Sequence, residues 1–314
     1  MASPKISALI TASGGIGSHF VLHKMHGHPN IMVLNESSFT VDSTLAKKGT
    51  TKGDLKTCLA SNAHFSSIAS NLENEQLFPK KPFNGDIEWV VLNKPPLKRI
   101  NYQRAFNPYI PVNYIFRNPV SFYYTWIKKW KGYGDRRYGR NISNEAVFEW
   151  FKNTFMTSLF ELSQNFDEQR DNVVSFEHFF NDVDSEINRI FTTLGVPVLK
   201  SEELAVMDYC KHCGRKDIEI KKMPIRGERV EDVLFCPDHG PVLGPGEHNY
   251  IRKEEGSFIN KWKLNSDCQQ VCDQFAELFG DDLIEYYYDE KYLVDKDRST
   301  YDNLIREFMN KLKV

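Results

Sequence analysis

Five short apolar runs, Ile6–Ile10, Ile31–Leu34, Ile87–Leu92, Val112–Phe116 and Val173–Phe176, recur along this chain with helix-like stretches between them. Parallel strands need a long crossover, and a helix is the usual one, so the alternation predicts a three-layer α/β fold: a mainly parallel sheet flanked by helices. Helices are expected over 121–131, 143–165, 184–194 and 266–288. In open sheets of this kind ligands bind beyond the carboxyl ends of the strands. The tips of two of these runs carry residues suited to anions.

The first is the strand Lys5-Ile-Ser-Ala-Leu-Ile10, which runs through the turn Thr11-Ala-Ser-Gly-Gly-Ile-Gly-Ser18 into a helix-like segment, His19 to Met25. A glycine turn between strand and helix lets backbone N–H groups close on an oxyanion, and the helix N-terminus adds partial positive charge. The second is Val112-Asn-Tyr-Ile-Phe116, ending in Arg117-Asn-Pro119 with the hydroxyl of Thr125 eight positions after the arginine. A guanidinium at a strand tip forks onto phosphate. Two such places imply a ligand with two separated phosphate groups.

This order of motifs resembles the sulfotransferase family, whose donor, 3′-phosphoadenosine 5′-phosphosulfate (PAPS), carries anions at both ends of its ribose. Ile16-Gly17-Ser18 falls on the Ser-Gly-Thr part of the family's Pro-Lys-Ser-Gly-Thr-Thr loop, and Arg117 with Thr125 falls on its Arg-Asp/Asn-Pro and later serine. Gly27-His-Pro-Asn-Ile31 with Glu36 is similar to its His-Pro-Asp-Val and downstream glutamate. Val173-Val-Ser-Phe-Glu177 with Phe191 to Pro197 is similar to its Tyr-Glu-Asp and Leu-Gly-Val-Pro segment. Ile251-Arg-Lys253, Gly256 and Trp262 are similar to its Arg-Lys-Gly-x-x-Gly-x-Trp element.

The resemblance implies in-line transfer of a sulfuryl group from PAPS to a hydroxyl or amine acceptor. It places the donor on Gly14, Gly15, Ile16, Gly17, Ser18 and His19, with Arg117, Thr125, Arg252 and Lys253 on the 3′-phosphate. Glu36 matches the glutamate that serves as base in the polysaccharide and many bacterial branches, and His19 is a second candidate. The loop lysine that stabilises the leaving group falls on Gly15; Lys94, in Leu92-Asn-Lys-Pro-Pro96, is the replacement cation. Glu254 stands where a glycine is usual.

At 314 residues and 41% hydrophobic content, the chain can bury a sizeable core. A formal net charge of −2 gives no global pull towards nucleic acid or an anionic membrane. No apolar run approaches the ~20 residues that span a bilayer, and no leader-like segment precedes the glycine turn, so a cytoplasmic protein is expected.

Cys210-x-x-Cys213 and Cys236-x-x-His239 have the two-knuckle spacing of a structural zinc site, with His212 and Asp238 open as substitutes. Four protein ligands close such a site. The segment 201–248 breaks the strand and helix rhythm and reads as a zinc-ribbon-like insertion between 1–200 and 249–314. Cys268 and Cys272, four apart, are expected to face a helix core. The polar segment 40–81 reads as a cover over the site.

Trp126 to Arg140 interleaves six Lys or Arg with Trp130, Tyr133 and Tyr138, a patch suited to an acidic or glycan acceptor, although a solvated helix end and loop is the more common explanation of such a run. Two rival readings stand beside the transferase. The glycine turn and Tyr124-x-x-x-Lys128 resemble a short-chain NAD(P)-dependent dehydrogenase, but Ala12 replaces that family's glycine and Arg117-Asn-Pro119 goes unexplained. The missing loop lysine suits a non-catalytic nucleotide-binding protein with a zinc docking module.

Overall fold

The computed structural model describes residues 5–11, 17–34, 81, 85–93, 109–127, 143–200, 203–204, 213, 215, 219–224, 230–241, 261–288 and 298–313. The chain divides into two compact units, Met1–Leu9, Ser18–Val112 and Ile187–Lys253 in one and Ile10–Gly17, Asn113–Glu186 and Glu254–Val314 in the other.

The first unit holds most of β1 (Lys5–Thr11), then α1 (Ser18–Gly27), β2 (Ile31–Leu34) and β3 (Trp89–Asn93). β3 pairs in parallel with both neighbours, Trp89 standing opposite Lys5 on one side and Ile31 on the other. Every residue of β2 and β3 is buried, as is the middle of β1. Strands covered on both faces need this unbroken apolar character.

The turn from α1 into β2 is fastened by neutral imidazoles. His26 Nδ1 accepts the Val33 N–H at 3.1 Å, and His28 Nδ1 accepts the Asn30 N–H at 3.1 Å. That leaves the His28 proton on Nε2, which donates to the Pro197 carbonyl at 2.9 Å. Burial holds His28 below its ordinary pKa. Lys81 Nζ donates to the carbonyls of His28 and Ile31 at 2.6 and 3.0 Å, and burial brings its pKa down to about 8.

His23, buried in α1, is lowered further, to about 3, by burial and then by Lys24. The unfolded chain therefore binds a proton that the fold refuses, and stability present above about pH 6.5 is lost as pH falls towards 3. The expected loss from this residue is roughly 1.4 kcal/mol per pH unit across that window. Urea unfolding from pH 7 to 4 measures it, and His23→Met is expected to flatten the slope.

The second unit carries most of β4 (Val112–Phe116), α2 (helical over 119–127), α3 (Asn144–Asn165), β5 (Asn172–Ser175) and α4 (Phe176–Asn181), and α5 (Val183–Leu194) starts in it. β4 and β5 are parallel, Tyr114 opposite Val173. The five strands form one sheet in the order β2-β3-β1-β4-β5, an α/β fold with its parallel sheet flanked by helices. A 3₁₀ turn (Lys261–Leu264) then leads to α6 (Ser266–Gln269), α7 (Cys272–Phe279), α8 (Asp281–Tyr288) and α9 (Arg298–Lys311).

The core of the second unit is aromatic. Phe151 is fully buried, with ring centroids of Phe122, Tyr123, Trp126, Phe155 and Phe275 between 5.1 and 5.9 Å away. Tilted, edge and, for Phe155, stacked contacts at this spacing add to the burial of large apolar area. A buried clasp holds α9: Arg298 Nε donates to Glu186 Oε1 at 2.6 Å, Nη2 donates to Glu186 Oε2 at 3.2 Å and to the Val173 carbonyl of β5 at 3.0 Å, and Nη1 pairs with Asp302.

Element ends differ from expectation for identifiable reasons. Phe176 opens a helix and does not end the strand, because Ser175 Oγ accepts the His178 N–H at 3.3 Å as an N-cap. α2 begins earlier than 121: Asn118 Oδ1 accepts from the N–H groups of Val120 and Ser121, and Pro119 sits at the first helical position, where no donor is needed. β3 starts at Trp89 and not Ile87. The expected helix over 266–288 is three helices, the last break lying at Gly280, whose φ of 90° no helix accommodates. Cys268 and Cys272 are buried as expected.

Within 201–248 the described residues form a three-stranded antiparallel sheet, β6 (Glu219–Pro224), β7 (Val230–Cys236) and β8 (Gly240–Pro241), with Cys236 opposite Gly240. No described helix is long and apolar enough to cross a membrane.

Candidate functional site

β4 delivers Arg117 to the carboxyl end of the sheet, and burial there fixes everything the side chain does. The residue is 5% exposed. Its Nη2 donates to Ser121 Oγ at 3.1 Å and to Thr125 Oγ1 at 3.2 Å. Positions 121 and 125 lie one turn apart on α2, so the two hydroxyls share the helix face that looks back at the strand tip. Thr125 Oγ1 itself donates to the Ser121 carbonyl at 3.3 Å. Burial pulls the Arg117 pKa down to about 10, against the raising effect of Glu177, and the guanidinium remains charged at neutral pH.

The ring of Phe176 lies under the guanidinium, 4.7 Å from its carbon to the ring centroid, a cation–π stack. The same ring closes on the glycine turn. Gly17 has φ +98°, and a Cβ built there would overlap Phe176 Cε2. Gly17 is thus required twice, for its left-handed backbone and for the room beside the ring. One side chain of α4 touches the end of the glycine turn and the arginine of the second strand tip.

Glu177, the next residue, is fully buried, and its Oε1 accepts the Asn118 N–H at 3.0 Å. Desolvation raises its pKa to about 7, opposed by Arg117, by its backbone hydrogen bonds and by Arg298. His178 Nδ1 lies 2.7 Å from Ser175 Oγ and its Nε2 3.0 Å from Tyr286 Oη, so the turn carrying Phe176 and Glu177 is anchored to α8.

Of the residues singled out from sequence, Gly17, Arg117 and Thr125 are brought together. Ser18 is the buried first residue of α1, and His19 follows it half-buried. Gly14, Gly15, Ile16, Glu36, Lys94, Arg252, Lys253 and Cys210 lie outside the described residues, as do most of the basic patch and Lys128, the partner of Tyr124. Ser121, Phe176 and Glu177 had been given no role. Helical spacing from Thr125 points to Ser121; the resemblance covers Phe176 and Glu177 but gives them no role, because the partners of Glu177 are distant in the chain.

A second cluster lies at the end of β7. One ligand-type atom from each of Cys213, Cys236, Asp238 and His239 falls within 4.8 Å of all the others. The two sulfurs are 3.8 Å apart, and Cys236 Sγ is 3.7 Å from His239 Nδ1. A tetrahedral ion with metal–sulfur bonds of ~2.3 Å and metal–nitrogen bonds of ~2.0–2.1 Å sets its ligands about 3.6–3.8 Å apart. Gly240, with φ +76°, turns the chain after His239. Asp238 also pairs with Arg215 at 3.0 Å.

No protein-family model matches the chain, and no curated protein does. Solved structures to which it is similar include the sulfotransferase domain from the curacin biosynthetic pathway, at 13% identity over 88% of this chain and 99% of that one, with a TM-score of 0.45. Another is the sulfotransferase domain of the Synechococcus PCC 7002 olefin synthase, at 15% identity, 88% and 96% coverage, and a TM-score of 0.44. A third is mouse sulfotransferase SULT7A1 complexed with PAP, at 13% identity, 100% and 91% coverage, and a TM-score of 0.46.

Proposed function

We propose that this protein is a PAPS-dependent sulfotransferase, with Gly14 to His19 and the Arg117–Thr125 strand tip holding the two anionic ends of the donor. The observation that supports this most is the sharing of Phe176 by Gly17 and Arg117. A buried, charged guanidinium with two hydroxyls on its flank suits a phosphate ester. Arg252 and Lys253 add charge to that phosphate. Glu36 takes the proton of the acceptor hydroxyl or amine, or His19 does, as the acceptor atom bonds to sulfur. The sulfur–oxygen bond to the 5′-phosphate breaks in line, and Lys94 stabilises the phosphate that leaves. A small-molecule or glycan acceptor is proposed, with no role for nucleic acid.

The deciding experiment compares ligands on the intact chain. Adenosine 3′,5′-bisphosphate (PAP) is expected to bind far more tightly than NADP, and labelled PAPS is expected to yield a sulfated product from an acceptor panel. Preference for NADP supports the dehydrogenase. Binding of PAP without turnover supports the non-catalytic reading.

We also propose that the insertion 201–248 is built around one structural zinc ion held by Cys213, Cys236 and His239, with Cys210 or Asp238 as fourth ligand. The inter-ligand distances support it. Its contribution would be to folding, through a closed coordination shell. Stripping with a chelator is expected to lower the melting temperature, zinc to restore it, and Cys236→Ser to bind less than one equivalent by elemental analysis; a metal-free chain of unchanged stability overturns the assignment.

A further inference from the structure

We propose that Glu177 is the proton acceptor that balances the charge of the anion site, so that a phosphate arriving at Arg117 binds together with one proton taken up on the Glu177 carboxyl. The proposal rests on the reading that Arg117 receives a phosphate group. Glu177 has no contact with solvent, and its carboxylate is served by backbone N–H groups, its own and that of Asn118, the residue after Arg117, which donates to Oε1 at 3.0 Å. Its Oε2 has no hydrogen-bond partner among the described residues. A carboxylate offers about four acceptor sites, so this one is poorly served as an anion.

Among the described residues, the groups that face Glu177 leave one cation to balance it. Arg117 comes from the tip of β4, Arg298 and Tyr301 from α9, Tyr287 from α8, and Phe176 and His178 from its own helix. Arg298 is engaged by Glu186, Asp302 and the Val173 carbonyl. The Tyr287 and Tyr301 phenols are pushed well above their ordinary pKa and stay neutral. His178 is held between Ser175 and Tyr286.

Arg117 and Glu177 therefore compensate each other. A phosphate dianion on the guanidinium adds two negative charges beside a buried carboxylate, and the least costly correction is protonation of that carboxylate. One proton moves from solvent to a Glu177 oxygen, an O–H bond forms, and no ligand bond breaks. Burial already holds Glu177 near neutrality, which keeps the uptake within the working range.

Binding that takes up a proton weakens as pH rises, by up to about tenfold per pH unit for one proton. The second ionisation of a phosphate monoester lies at about 6, so measurements between pH 7.5 and 9 are free of it. The test is calorimetric titration of PAP into the full chain in buffers of different protonation enthalpy. Wild type is expected to take up close to one proton per site, with Kd rising through this range. Glu177→Gln keeps the acceptor for Asn118, and is expected to show no uptake, a flat Kd and tighter binding than wild type at pH 9. Binding without uptake in wild type, or uptake that persists in the variant, overturns the proposal. Absence of PAP binding overturns the donor reading and this inference with it. Should Glu177→Gln fail to fold, the wild-type buffer comparison decides alone.

Discussion

Arg117→Ala is expected to weaken PAP binding by roughly thirtyfold to several thousandfold and to destabilise the fold as well. The binding loss follows from removing a desolvated charge, for which truncation costs roughly 2–5 kcal/mol. The folding loss has a separate cause. Among the described residues Glu177 would keep only Arg298, itself engaged by Glu186 and Asp302, and a buried charge that loses its partner costs about 3–5 kcal/mol. The two effects separate in the double variant: Arg117→Ala with Glu177→Gln is expected to regain most of the stability in urea unfolding and none of the affinity in titration. Arg117→Lys preserves the charge but not the planar group stacked on Phe176 or its fork, and is expected to fold with reduced affinity. Full PAP affinity in a folded Arg117→Ala protein would remove the arginine from the site.

Gly17→Ala is expected to be the other severe change. Its methyl group would overlap Phe176 Cε2, and its backbone must hold φ +98° with a Cβ present. The left-handed conformation costs about 1–2 kcal/mol and overpacking about 1–3 kcal/mol, so a loss of roughly 2–5 kcal/mol is expected in equilibrium unfolding. Displacement of Phe176 would also disturb Arg117, and PAP affinity is expected to fall in the same variant. Phe176→Leu in the Gly17→Ala background tests the mechanism. It is expected to recover the packing part and leave the backbone part, whereas a full loss in the double variant would place the conflict elsewhere.

The strands were readable because burial on both faces leaves an unmistakable mark: Ile31–Leu34 and Val112–Phe116 have the bounds that their apolar runs suggest. The eight-residue step from Arg117 to Thr125 was also readable, since two turns of helix return a side chain to one face. Phe176 misled because an apolar residue after Val-Val-Ser continues the strand pattern, while the deciding signal, the Ser175 cap, is a single hydrogen bond. The stretch 266–288 misled because periodicity alone does not weigh Gly280. Cys213, Cys236 and His239 were legible from spacing, and Asp238 was open among the substitutes; they now lie together. The role of Glu177 was not readable from its motif, because it depends on Asn118, 59 residues earlier, and on the charge of Arg117.

The Arg298 clasp sets an order of events during synthesis. Its guanidinium completes an edge strand 125 residues upstream and neutralises Glu186. Until α9 leaves the ribosome, the Val173 carbonyl of β5 and the Glu186 carboxylate lack the guanidinium that joins them in the fold. A nascent chain can therefore assemble its glycine-turn strand early, whereas β5 is secured only once α9 is available to it.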